Sequence, residues 1–139
     1  YTKFEYSNIT IEPTEVRNPD DVIKVSVNVR NTGNLVGDEV VQLYVKRIYA
    51  SVTRPLIELK GFKRITLQPG DLRKVIFEIP LELLSYYDSN MRRVLEPGDY
   101  VIIVGKNADE PVLSNKITVR GDTKVYKTRK VYFSRAYVF

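Results

Sequence analysis

The carboxylates that could do acid-base or metal chemistry in this chain occur in three adjacent pairs: Asp20-Asp21, Asp38-Glu39 and Asp109-Glu110. Paired carboxylates can bind Ca²⁺, or act as the acid and base of a hydrolase. Neighbouring residues on a strand point to opposite faces, however, so such a pair does not easily converge on one bond. No loop has the spaced Asp/Asn pattern of a calcium loop. We therefore interpret the pairs as solvated turn charges, with Asp38 as a candidate turn cap.

Several residue types that carry enzyme chemistry are missing from the sequence. The 139 residues contain no Cys, no His and no Trp. The composition therefore excludes Ser-His-Asp and Cys-His arrangements, disulfides and thiolate metal sites. Only Asp, Glu, Lys, Arg and Tyr remain for proton transfer, which favours a binding or structural module over an enzyme. We predict no catalytic, cofactor-binding or metal-binding residue.

The positive charge of the chain is concentrated at one end. The net charge is +5, from 22 basic and 17 acidic residues. Residues 122–139 contribute five basic residues against the single acid Asp122, so residues 1–121 are nearly neutral. A nucleic-acid binder normally carries a basic face on the domain itself, and no apolar stretch is long enough for a membrane span. We therefore expect neither partner, and a soluble chain that does not depend on disulfides.

Alternating apolar and polar residues dominate the body of the chain and predict β-strands. Val and Ile from Ile23 to Val29 occupy every second position, and Val41–Val45 and Val75–Ile79 repeat the pattern. Such alternation places the apolar set on one face of a strand. The turn signals Asn31–Asn34, Gln68–Asp71 and Glu96–Asp99 separate these runs. The predicted strands lie near 4–12, 22–31, 38–48, 56–67, 72–79, 99–105 and 115–121.

Seven short antiparallel strands at this spacing predict an all-β, two-sheet sandwich of immunoglobulin type. Tyr100 enters its strand directly after the Pro97-Gly98 turn, where its hydroxyl can reach an upstream backbone group as in a tyrosine corner. Residues 81–84 are a candidate helical turn, and residues 85–95 a candidate hairpin. We assign residues 1–121 to the sandwich and residues 122–139 to a basic, aromatic extension.

Several motifs, taken in order, resemble the fibronectin type III-like domain of glycoside hydrolase family 3 enzymes, the β-glucosidases and β-xylosidases. The motifs that carry the resemblance are Asn31-Thr32-Gly33, Gly37–Val45, Ala50–Pro55, Glu58–Arg64, Glu96–Tyr100 and Val104-Gly105. They extend over roughly residues 3–121. Met91-Arg92-Arg93 departs from the family, which often has an aromatic residue there, and this leaves the packing of the 85–95 hairpin open.

The resemblance implies a fibronectin type III-like sandwich that is the accessory part of a larger enzyme, here called the parent enzyme. Retaining glycosidases need a carboxylate nucleophile and a second carboxyl about 5 Å away. In the family these come from other domains, so no catalytic residue can be assigned in this chain. The implied role is to pack against the catalytic domains and stabilise them.

The best candidates for contact with those domains follow from the residue types together with the resemblance. Arg54 and Arg64 can pair bidentately with carboxylates, Pro55 stiffens its loop, and Phe62 offers an apolar anchor beside Lys60. The alternative for these residues is a strand with cations on its solvent face. An alternative for the whole chain is a polysaccharide- or cell-surface-binding module. Its sugar-stacking candidates are Tyr44, Tyr49, Tyr86 and Tyr87, although carbohydrate-binding platforms more often include Trp.

The C-terminal extension is too apolar for a disordered tail. Its aromatic residues include Tyr132, Phe133, Tyr137 and Phe139. We predict that residues 131–139 dock in extended form on a catalytic domain of the parent enzyme, or, in the isolated chain, on the sandwich itself or a second copy. An eighth strand is not favoured, because the alternation is poor. A frayed terminus is the alternative.

Overall fold

The computed structural model describes residues 3–18, 20–48, 57–87, 90–106, 111–126 and 133–139. Among them, a single-turn 3-10 helix (Leu81–Leu84) lies between the sixth and seventh strands. No helix within these ranges has the length and apolar character needed to cross a membrane. The strands are β1 (Phe4–Glu12), β2 (Glu15–Val16), β3 (Val22–Asn31), β4 (Gly37–Arg47), β5 (Ile57–Leu67), β6 (Leu72–Pro80), β7 (Tyr86–Tyr87), β8 (Arg93–Leu95), β9 (Gly98–Gly105), β10 (Pro111–Val119), β11 (Lys124–Tyr126) and β12 (Arg135–Val138).

Two sheets face each other across the core, which confirms the predicted two-sheet sandwich. The four-stranded sheet has the order β1-β3-β6-β12, and the five-stranded sheet the order β2-β10-β9-β4-β5. A small three-stranded sheet has the order β11-β8-β7, and its residues Leu95 and Tyr126 belong to or pack against the same core. The alternation explains the layers: the inward residues are fully buried in β3 (Ile23, Val25, Val27, Val29) and in β6 (Val75, Phe77, Ile79).

The predicted strands agree with the observed ones to within a few residues, with two differences. The strand predicted at 115–121 begins at Pro111, because Pro111 already lies opposite Gly105 of β9. β2 pairs with β10 in parallel, so the expectation of an all-antiparallel sandwich was wrong at this edge. The predicted helical turn at 81–84 and the hairpin within 85–95 are confirmed, the latter by pairing of β7 with β8.

The end of the chain contributes a strand that the sequence analysis did not favour. β12 pairs antiparallel with β6, and Val138 lies opposite Val75. Ala136 and Val138 pack against the core, while the residues between and beside them point outward. The expectation that this segment does not form a strand was wrong, because a small and a β-branched residue, Ala136 and Val138, fall on the two inward positions. The domain boundary at residue 121 stays a prediction.

Two buried tyrosines make the fold sensitive to alkaline pH. Burial in the core raises the pKa of Tyr6 and of Tyr100 well above the ordinary value of 10.0. The negative charge of Glu39 raises the pKa of Tyr6 further. Because the folded pKa lies above the unfolded one, this contribution to stability is fully present below about pH 10 and is lost as the pH rises further.

We therefore expect the urea midpoint to fall above about pH 10, with the phenolate absorbance of the two buried tyrosines appearing only as the chain unfolds. Tyr87, which is exposed, is the matched control: Tyr87→Phe should leave this pH dependence unchanged, whereas Tyr100→Phe should reduce it. Equal pH dependence in wild type and Tyr100→Phe would contradict the assignment.

Candidate interface

The predicted interface residues are distributed over very different environments. Arg54, Pro55 and Tyr132 lie outside the described residues. Lys60 is buried within the chain rather than available at a surface. It lies at a register shift, because Leu43 of β4 pairs with Gly61 and the next residue, Tyr44, pairs with Leu59. The extra residue of such a bulge leaves the regular ladder, and the Lys60 side chain lies with its Nζ 3.5 Å from Glu58 Oε2.

Arg64 pairs with a carboxylate of its own chain. Its Nη2 lies 2.6 Å from Asp38 Oδ2, and the Thr66 hydroxyl donates to Asp38 Oδ1 at 2.6 Å. These hydrogen bonds, from Thr66 first and from Arg64, lower the pKa of Asp38. Asp38 therefore links β4 to β5, where the sequence suggested a turn cap.

The C-terminal segment contacts the edge of the five-stranded sheet at Phe62. The Phe62 and Phe133 rings meet edge to face, with centroids 5.8 Å apart. The amide of Ser134 donates to the Lys60 carbonyl at 2.7 Å, so the segment follows the β5 edge before it joins β6. An added Cβ at Gly61 would overlap Ser134 Oγ, which explains why the close approach needs glycine here.

Tyr137 and Phe139, in contrast, belong to the other sheet. Tyr137 lies opposite Ile76 on the outer face of β6, and Phe139 exchanges two backbone hydrogen bonds with Lys74, at 2.8 and 2.9 Å. The three described aromatic residues of the predicted tail surface therefore do not lie together: Phe133 joins Phe62, and Tyr137 and Phe139 lie on the four-stranded sheet.

A tight corner at the start of β9 contains the residues of the predicted tyrosine corner, Pro97, Gly98 and Tyr100. Tyr100 is buried, and its hydroxyl donates to the Glu96 carbonyl at 2.5 Å, which is the geometry of a tyrosine corner. Gly98 has a φ of 145°, a conformation that residues with a side chain rarely adopt, and it follows Pro97. This turn fixes the entry of β9 into the centre of the five-stranded sheet.

A row of exposed apolar side chains on the five-stranded sheet was missed by the sequence analysis, apart from Phe62. We call it the apolar strip; its members are 37–54% exposed and are Val40, Ile57, Leu59 and Phe62. The bulge explains the omission. Counting alternate positions back from the buried Ile65 and Leu67 would place Ile57 and Leu59 on the core side, but one extra residue turns them outward.

Buried ion pairs at one end of the sandwich were also not predicted. Arg47 is 2% exposed, and its Nη2 lies 2.8 Å from both Glu58 Oε1 and the Ser85 carbonyl. Its guanidinium lies 4.6 Å from the centre of the Tyr86 ring. A second buried arginine, Arg93, lies 3.2 Å from Glu82 Oε2 and over the Tyr126 ring. These contacts hold β4, β5, the 3-10 helix and the β7–β8 hairpin together.

The acidic pairs show no converging geometry where the structure describes them. Asp38 faces outward, whereas the Glu39 side chain is largely buried and lies 4.0 Å from Lys106. Asp21 caps its own loop by accepting from the Asn18 amide at 3.1 Å. Asp109-Glu110 lies outside the described ranges, and within those ranges no group of three His, Cys, Asp or Glu residues could hold a metal ion.

The tyrosines suggested for sugar stacking do not form a platform in the described structure. Tyr86 is buried beneath Arg47, and the Tyr44 hydroxyl donates to Gln42. Tyr87 is exposed, and Tyr49 lies outside the described residues. A stacking surface needs open aromatic faces side by side, which the three described tyrosines do not provide.

Comparison with known proteins gives one consistent result. Residues 39–108 match the fibronectin type III-like domain. The chain is 38% identical to thermostable β-glucosidase B of Acetivibrio thermocellus over 91% of its own length and 17% of that protein. It is 44% identical to a β-xylosidase of Formosa agariphila over 78% of its length and 15% of that protein.

Solved structures agree. The β-glucosidase of Listeria innocua superposes with a TM-score of 0.79 and 31% identity, over 88% of this chain and 16% of that one. β-Glucosidase 3B of Thermotoga neapolitana gives a TM-score of 0.79 and 30% identity, over 92% and 17%. The chain thus spans about a sixth of the relatives that it matches. It belongs to the fibronectin type III-like domain family, in the form found in β-glucosidases and β-xylosidases of glycoside hydrolase family 3.

Proposed function

We propose that this chain is a non-catalytic accessory domain of a retaining family 3 β-glycosidase, and that it packs against the catalytic part of the parent enzyme and stabilises it. The observation that carries the proposal is the share of the relatives that the chain spans, 15–17% in the two curated enzymes. Retaining hydrolysis requires two carboxyl groups about 5 Å apart around a sugar site. Several of the described acids are instead paired with cations, as Asp38, Glu58 and Glu82 illustrate.

The domain would act through buried area and fixed shape. Its core is continuous, and the tyrosine corner and the buried arginines make it rigid. A rigid body that buries apolar surface against a neighbour raises the unfolding barrier of both, because each then unfolds only after the contact is broken.

The first test is an activity assay of the isolated 139-residue chain on nitrophenyl β-glucoside and β-xyloside. We expect no hydrolysis above buffer, with the full-length parent enzyme as the positive control. Turnover at an enzyme-like rate, on the order of 1 s⁻¹ or more, would overturn the proposal.

Affinity electrophoresis in soluble glucans and xylan separates the proposal from a polysaccharide-binding module. We expect the chain to migrate as it does without polysaccharide, because Tyr86 is buried and the Tyr44 hydroxyl is already bonded. Retardation that Tyr87→Ala abolishes would favour the binding module instead.

A further inference from the structure

We infer that the domain docks on the catalytic part of the parent enzyme through the outer face of its five-stranded sheet; this inference rests on the proposed function. The apolar strip lies on β5 and the neighbouring β4, at one edge of that face. Leu59 lies beside Tyr44, which in turn lies beside Ile103 of β9. Ile57 lies beside Lys46, and Lys46 beside Val101. The row Leu59–Tyr44–Ile103 therefore continues the strip across β4 to β9, where Ile103 is 8% exposed, and in the next row Lys46 lies between Ile57 and Val101.

The outer face of the four-stranded sheet is polar at its centre, with exposed apolar side chains, Leu72, Tyr137 and Phe139, on its β6 and β12 side. Its central strand, β3, presents Lys24, Ser26, Asn28 and Arg30 outward. One row across this sheet alternates in charge, with opposite charges on neighbouring strands: Glu12, Lys24, Glu78 and Arg135. Such a row suits solvent, because cross-strand pairs of opposite charge stabilise an exposed sheet face. The five-stranded sheet is favoured because its exposed apolar strip is joined by direct ring contact to Phe133 at the same edge, and clustered apolar and aromatic side chains are typical of the centre of an interface.

The C-terminal segment enlarges the same surface. Phe133 is half exposed and packs edge to face on Phe62, so it extends the apolar strip beyond the edge strand β5. Large contiguous apolar patches rarely stay exposed on soluble monomers, and they mark places where another surface binds.

The charges on this face favour the parent enzyme over a second copy as the occupant. The strands of this face present three cations outward, Arg64, Lys116 and Lys46. Two of them are already paired, Arg64 with Asp38 at 2.6 Å and Lys116 with Asp99 at 3.7 Å. Lys46, in the middle of the face, has no ion-pair partner among the described residues. In a two-fold contact each Lys46 would have to find a carboxylate on a copy of the same face, where Asp38 and Asp99 are already paired. The catalytic part, which makes up most of the length of the relatives, would instead present apolar groups and a carboxylate opposite Lys46.

The test compares matched variants on the two faces of the full-length parent enzyme. Leu59→Glu and, separately, Val40→Glu place a charge on the inferred docking face. Ile76→Glu places the same charge at a partly exposed apolar position of the four-stranded sheet. Calorimetry and the half-life of activity at elevated temperature are measured for each. The isolated chain carrying each substitution reports whether the domain itself still folds.

We expect the wild type and Ile76→Glu to unfold in one shared transition. Leu59→Glu and Val40→Glu should split off the transition of this domain and shorten the half-life of activity at least about tenfold, with the isolated variants as stable as the isolated wild type. A split caused by Ile76→Glu alone would overturn the inference and leave the proposed function intact. Independent unfolding of the domain in the wild type would overturn the proposed function itself. A dimeric isolated chain that Leu59→Glu converts to monomers, with no effect on the parent enzyme, would assign the face to a second copy and overturn the inference.

Discussion

Removing residues 133–139 is expected to lower the free energy of unfolding by about 3 kcal/mol and the thermal midpoint by roughly 10 °C. The deletion takes away the inward side chains Ala136 and Val138 and exposes the edge of β6. It also removes the backbone hydrogen bonds from Ser134 to Lys60 and between Phe139 and Lys74. Chemical and thermal unfolding of the shortened and complete chains measure the effect.

Single substitutions distinguish a C-terminal strand that packs on the core from an apolar tail with no fixed inward and outward side. Val138→Asp should cost about 2 kcal/mol or more, because it places a carboxylate against the core. Tyr137→Asp changes a neighbouring residue that points outward, and should cost less than about 1 kcal/mol. Equal effects of the two substitutions, or a shortened chain as stable as the complete one, would contradict the docked strand.

The sandwich could be predicted from the sequence because its strands obey one simple rule. In β3 and β6 each inward position is Val, Ile or Phe, and each strand ends at a Gly, Pro or Asn turn signal. Period-2 alternation depends only on the local pleat, so it requires no knowledge of partners. The corner at Tyr100 could also be predicted from local sequence, because the turn and the tyrosine are adjacent in the chain.

The surface of β5 could not be predicted, because one extra residue reverses every inward and outward position before it. The bulge at Lys60-Gly61 lies where the tail crosses the edge of β5, and Ser134 occupies the space that a side chain at residue 61 would need. Residues 61 and 134 are far apart in sequence, so no local pattern reports their contact. The outward positions of Ile57 and Leu59 follow from the bulge, whose place in the strand the alternation of β5 does not reveal.

The burial of Arg47 and Arg93 could not be predicted from the sequence, for a different reason. In sequence, Arg47 looks like the charged end of a strand, and charged residues are buried only when they are paired. Its partners, Glu58, Ser85 and Tyr86, come from three other elements that the fold brings together. Predicting the site would have required the register of β4 against β5 and the place where the chain from the 3-10 helix to β7 packs on them.

Replacing Arg47 by Met is expected to lower the free energy of unfolding by about 3 kcal/mol. Met retains much of the apolar stem, so the loss is mainly that of the charge and its contacts. The Ser85 carbonyl loses a buried donor, Glu58 keeps only Lys60 among its two described cations, and the Tyr86 ring loses the guanidinium above it. Urea unfolding of the isolated chain provides the measurement.

Arg64→Met is the matched control, because it makes the same chemical change in an ion pair of similar length. The Arg64 side chain is 72% exposed and its partner Asp38 is 42% exposed, so water screens the pair. We expect a loss of less than about 1 kcal/mol there. The difference between the two variants therefore measures what burial, the Ser85 hydrogen bond and the Tyr86 contact add together, since the residue type and the substitution are held constant. If Arg47→Met and Arg64→Met cost the same, the buried cluster does not hold this end of the sandwich together, and the rigid shape on which the proposed docking depends would have to come from the hydrophobic core alone.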